Sequence, residues 1–139
     1  MGSKTGNAQR CELAQEAPMP LLCEKTFAGF CETLAAKDIH EAILLRLVEG
    51  DMRLLRIASA RARKDCVVMA QEAGAVGPVA VLLGFRQTAD LARQLQAACL
   101  SDEQVSTYKM IAQLGEIFQN SGTALEALLQ RGSVAKPRC

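Results

Sequence analysis

The sequence has no tryptophan, only five other aromatic residues and a single histidine, His40. The sequence contains no motif that pairs a nucleophilic side chain with a general base, and no phosphate-binding glycine loop is present. One histidine does not supply the several nitrogen and sulfur ligands of a zinc site, and the cysteines are not spaced to complete one. These absences argue against an enzyme and against a bound metal or other cofactor. His40 is interpreted as a partly exposed residue at a helix start.

The six cysteines form no CxxC pair and no evenly spaced framework. Secreted disulfide scaffolds of this size usually show such a framework, so the thiols are interpreted as small apolar side chains in a reducing compartment. No stretch reaches the roughly 20 apolar residues that cross a bilayer, and the N-terminus has no signal-peptide run. We expect a soluble intracellular protein of the cytoplasm or an organelle matrix, without a membrane span.

What the chain does have is apolar residues, which make up 50% of its 139 positions. That content is enough for one domain with a hydrophobic core. The net charge is +1, so no strongly charged partner is attracted by the molecule as a whole. Polar, aperiodic ends predict an N-terminal tail over residues 1–18, a helical domain over 19–132 and a C-terminal tail over 133–139.

Apolar residues recur at helical spacing throughout the predicted domain, and no strand pattern occurs. The pattern predicts an all-α fold of six or seven short helices, arranged as a helical-repeat-like or orthogonal bundle. Apolar residues between positions 39 and 58, including Leu44, Val48 and Leu55, are assigned to the buried stripes. Three helix starts, at Asp38, Ser101 and Thr123, carry Glu or Gln three residues later, which is the capping-box pattern.

Glycine and proline predict where these helices end. Gly50 is expected to bend or end a helix. Gly74 is suited to the position after a helix C-terminus, and Gly77–Pro78 is expected to break the chain and restart it. Gly122 is expected to end another helix before Thr123.

One concentration of charge stands out, with five basic residues and no acid between positions 52 and 64. Arg53, Arg56, Arg63 and Lys64 fall on one helical stripe and are the candidate partner-binding residues. Their arginine content favours an acidic protein surface as the partner. Nucleic acid is not favoured, because no aromatic residues interleave for base stacking. The alternative is a solvated face that pairs with the chain's own acids, such as Glu49, Asp51 and Glu72.

Two segments of the chain resemble junctions between armadillo or HEAT repeats. In residues 64–76 a helix runs into a small-residue turn at Gly74, and an apolar run follows; residues 116–129 repeat the pattern around Gly122. The two glycines lie 48 positions apart, near the upper end of the period of such repeats. The resemblance implies stacked helix pairs and a role in protein–protein interaction.

Residues 84–95 resemble the third-helix segment of histidine-phosphotransfer bundles. The alignment puts Gly74 where the phospho-accepting histidine would stand, which implies a domain that docks a receiver domain without transferring phosphate. The favoured function is a non-catalytic interaction or assembly subunit of a larger intracellular complex, and this degenerate signalling domain is the alternative. A small-molecule binder or enzyme that uses the apolar interior is the third class.

Overall fold

The structure is a computed structural model that describes residues 21–101 and 107–131. Within those ranges it is all helical, and it contains five α-helices and one 3₁₀ helix, Ala36–Asp38. The α-helices are α1 (Glu24–Glu32), α2 (Ile39–Ala62), α3 (Cys66–Leu83), α4 (Arg86–Cys99) and α5 (Thr107–Gln130). The all-α prediction is confirmed. Both predicted tails lie outside the described residues, as do residues 19, 20, 102–106 and 132 of the predicted domain.

Helix α3 is the centre of the bundle and packs against α1, α2 and α4. Its side chains enter two clusters of buried residues: Val79 and Leu83 join the first, and Met69 and Val76 join the second. Leu54 of α2 packs against both clusters. Because neighbours contact α3 on several sides, its apolar residues are spread around its circumference and do not form one stripe.

The predicted break at Gly74 to Pro78 is wrong, because α3 continues through it to Leu83. Proline inside a helix removes one backbone hydrogen bond and costs about 3 kcal/mol. Burial of Val76, Val79, Ala80 and Leu83 against the neighbouring helices outweighs that cost. Cys66–Leu83, with a mean hydropathy of 1.7, is also long and apolar enough to cross a membrane. The core helix of a soluble protein passes the same test, and 39% of this segment is buried inside the fold.

The other two predicted interruptions also lie inside helices. Helix α2 is 24 residues long and continues through Gly50. Helix α5 is also 24 residues long and continues through Gly122. The junction-like segments at Gly74 and Gly122 are therefore continuous helix. Six or seven short helices were predicted, whereas the described ranges hold five α-helices because these interruptions are absent.

The three predicted caps have different outcomes. Asp38 precedes α2 as predicted, but its side chain makes no capping hydrogen bond. Thr123 lies within α5, where its hydroxyl donates to the Gln119 carbonyl at 3.1 Å, so that cap is wrong. Ser101 donates to the Ala98 carbonyl, and the residues that it would cap lie outside the described ranges. A side-chain cap occurs at Asp65, which accepts from the Val68 amide at 3.1 Å.

Two left-handed residues end α2 and α3. Lys64 has φ 59° and Gly84 has φ 80°. After α3, the Phe85 amide donates to the Ala80 carbonyl and the Gly84 amide to the Val81 carbonyl, which is the bonding pattern of a Schellman motif. These turns direct α2, α3 and α4 back along one another.

Candidate interaction surface on helix α2

Helix α2 is apolar on two opposite sides. The inward side buries Ile43, Ile57 and Ala60 in the core. The other side carries large apolar side chains that remain exposed, among them Leu45 at 56% and Leu55 at 67%. Single exposed apolar residues are ordinary on protein surfaces, but a contiguous set marks a binding surface.

The exposed residues follow a regular spacing of alternately four and three positions. We call them the outer row: Glu41, Leu45, Val48, Met52, Leu55, Ser59 and Ala62, all of them exposed. Leu44 is exposed beside the row. This alternation is the spacing of a helix that packs lengthwise against another helix, since it keeps one seam facing the partner over three heptads.

A groove borders the outer row on the side of α5. One cleft of about 310 Å³ includes His40, Leu44 and Phe118, and a second of about 570 Å³ includes Leu55 and Ile111. Asp51 and Gln119 line both clefts. The groove exists because α2 makes few contacts with α5 compared with those it makes with α3. The outer row and the groove thus form one continuous surface.

Gly50 sets the closest approach of α2 to α5. A Cβ at this position would overlap the Phe118 ring, with the Cε1 atom at 2.7 Å. The Phe118 ring is buried and meets Phe85 edge to face, with the ring centroids 5.7 Å apart. Glycine is therefore needed at position 50 for packing, and the helix is not interrupted there.

The predicted basic stripe is divided between one partly buried residue, Arg53, and three exposed ones. Arg53 donates to Glu72 of α3 at 3.0 Å and lies 3.6 Å from Glu49. The hydrogen bond to Glu72 raises the pKa of the Arg53 guanidinium. Glu72 is the one charged residue of α3, so this ion pair joins the two helices at a defined position. Arg53 therefore pairs with acids of the chain itself, as the alternative interpretation of the basic stripe expected.

The remaining basic residues lie near the C-terminal end of the outer row. Arg56 is exposed, and Arg63 donates to the Ser59 hydroxyl at 2.6 Å. That bond holds the Arg63 guanidinium beside a member of the row. Lys64 lies outside α2 in the left-handed turn, so it does not continue the helical stripe. Arg56 and Arg63 are the two candidates that the structure brings to the apolar surface.

His40 is exposed at the start of α2 and lines the smaller cleft together with Asp51 and Glu126. Among the described residues, no group of three His, Cys, Asp or Glu side chains is placed to hold a metal ion. The cleft is apolar inside, where Leu47, Phe118 and Leu129 line it, and its polar groups stand at the start and middle of α2 and on α5.

Sequence reasoning missed the outer row because it assigned Leu44, Val48 and Leu55 to the core. The sequence did contain a signal for it, because this helix carries two sets of apolar residues on different sides. Only one of the two sets can face the core. A comparison with protein-family models, curated proteins and solved structures finds no match to this chain.

Proposed function

We propose that the chain is a non-catalytic interaction or assembly subunit that docks other protein chains through the outer row of α2, inside a larger intracellular complex. The observation that carries this proposal is the exposed apolar seam from Leu45 to Leu55. Side chains that are 46–67% exposed gain little from folding, so their presence in one row favours burial by a partner.

The groove beside α5 extends this surface and suits a helical partner. A helix docks by inserting apolar side chains at spacings of three and four residues into such a groove. Arg56 and Arg63 would act at the edge, where exposed charges select partners and speed association more than they tighten binding.

The test is photo-crosslinking in cells with the full chain. A benzophenone amino acid replaces Val48, and a matched variant carries it at Gln113, an exposed position of α5. We expect a protein adduct from position 48 and none from position 113. Absence of a protein adduct at position 48, or equal yields at both positions, would refute the proposal.

A second measurement separates docking from folding. Leu45→Ser and Leu55→Ser should leave the free energy of unfolding within about 0.5 kcal/mol of the wild type, because both side chains are exposed. The same changes should remove the adduct. A loss of several kcal/mol would instead place these side chains in the core.

A further inference from the structure

We infer that the outer row of α2 binds the outer row of a second copy of this chain, with the two helices antiparallel. The inference rests on the proposed function and names its partner. Its first support is the spacing: alternate steps of four and three residues from Glu41 to Ala62 form a seam about 32 Å long. A two-stranded seam needs a second helix with the same spacing and length, and α2 itself is such a helix.

The second support is the distribution of charge along the row. Glu41 stands at its N-terminal end, whereas Arg56 and Arg63 stand near its C-terminal end. Superimposing the two apolar segments in antiparallel order sets Leu45 against Leu55 of the second copy and Val48 against its Met52. Glu41 then lies opposite Ser59 of the second copy, within one turn of both arginines.

A parallel arrangement does not satisfy the same groups. It would place Glu41 against Glu41 and Arg56 against Arg56, and it would set the two helix dipoles side by side with like ends adjacent. The antiparallel arrangement is a two-fold symmetric contact, in which each copy supplies the acid and the bases that the other requires. The acidic surface expected to pair with the basic residues is thus Glu41 of the second copy.

The third support is the area. Leu44, Leu45, Val48, Met52 and Leu55 are each about half exposed and together present on the order of 500 Å² of apolar surface. Two copies would bury on the order of 1,000 Å² of it, which reaches the lower end of specific interfaces before any polar contact is added. Self-association through this row is therefore of a size that fits a weak, reversible dimer.

The first experiment is sedimentation equilibrium of the full chain over a wide concentration range. We expect a monomer–dimer equilibrium whose dissociation constant rises at least about tenfold in Val48→Asp, since this removes an apolar contact at the centre of the seam. Val81→Asp is the control, because Val81 is 53% exposed on α3 and lies outside the row. A wild type that stays monomeric, or a dimer that Val48→Asp leaves intact, would overturn the inference.

Charge reversal tests the orientation. Glu41→Lys should weaken the dimer by about tenfold, because it faces two arginines with a third positive charge. Adding Arg56→Glu and Arg63→Glu should restore the dimer. The restored dimer should again weaken at high salt. Circular dichroism of each variant checks that the fold is retained. Failure of the triple variant to recover, with its helicity unchanged, would contradict the antiparallel pairing.

Cross-linking separates failure of this inference from failure of the proposed function. The benzophenone amino acid replaces Leu45 in a mixture of ¹⁴N and ¹⁵N chains, and mass spectrometry locates the adduct. A link to the region of Leu55 in the other isotope supports the inference, whereas a link to Leu45 of the other copy or within one chain overturns it. If purified protein is monomeric while cells still give an adduct with a different protein at Val48, the inference fails and the proposed function stands.

Discussion

Replacing Gly84 with alanine should destabilise the fold through two separate effects. The residue has φ 80°, where an L side chain costs about 1–2 kcal/mol. A Cβ there would also lie 2.5 Å from the carbonyl oxygen of Cys23. That oxygen accepts from the Phe27 amide at the start of α1, and the Cys23 amide donates to the Gly84 carbonyl at 2.7 Å. The overlap is therefore with backbone that is fixed on both sides.

The magnitude follows from these contacts. The left-handed conformation costs about 1–2 kcal/mol and a weakened Cys23–Gly84 hydrogen bond about 1 kcal/mol. The alanine stiffens the unfolded chain, which offsets about 0.4–1 kcal/mol. We expect Gly84→Ala to lower the free energy of unfolding by about 2 kcal/mol. Urea denaturation followed by circular dichroism measures this directly.

Gly29→Ala is the matched control, because Gly29 is exposed inside α1 and no atom from another part of the fold lies within 4 Å of the added Cβ. It should stabilise the protein by about 0.5–1 kcal/mol, since alanine is the better helix former. Gly84→Asn separates the two effects: asparagine tolerates the left-handed region but still carries the Cβ. Equal stability of Gly84→Ala and Gly29→Ala would refute the reasoning.

Three further predictions concern other parts of the structure. Gly50→Ala should destabilise by about 1–2 kcal/mol because its Cβ overlaps the Phe118 ring, and combining it with Phe118→Leu in a double-mutant cycle should recover part of the loss. Lys64→Gly should stabilise by about 0.5–1 kcal/mol, since φ is 59° there, and an unchanged denaturation midpoint would contradict this. Cys23 should react with iodoacetamide at a lower pH than Cys99, because a hydrogen bond from Thr26 lowers the pKa of the Cys23 thiol and burial raises that of Cys99. Peptide-resolved mass spectrometry across pH reads both thiols, and Thr26→Val should shift the profile of Cys23 alone.

The helical class was predictable from the sequence because apolar spacing reports directly on burial. The positions at which the helices end were not predictable in the same way, because glycine has a different role at different positions of these helices. Gly84 is required by its backbone angle and Gly50 by the Phe118 ring, whereas no atom from another part of the fold lies near the Cβ position of Gly77. Local sequence cannot distinguish these cases, because the deciding atoms belong to residues far away in the chain.

The candidate surface shows the same limit. The sequence placed Arg53, Arg56 and Arg63 on one helical stripe, but the partner of Arg53 is Glu72, 19 positions away on the next helix. That contact depends on how α2 and α3 are rotated against each other. The apolar spacing of the outer row was visible beforehand, but which of two apolar faces meets the core is a tertiary property.

An amphipathic helix with one apolar face has one way to sit on a core, whereas α2 has two that differ by about half a turn about its own axis. Hydrophobic burial alone distinguishes them poorly. Two local features match the observed rotation: Gly50 leaves room for the tip of the Phe118 ring, and Arg53 reaches Glu72. These contacts favour the observed rotation of the helix about its axis. The face of α2 that stays exposed is thus set by a glycine and an ion pair on other sides of the helix.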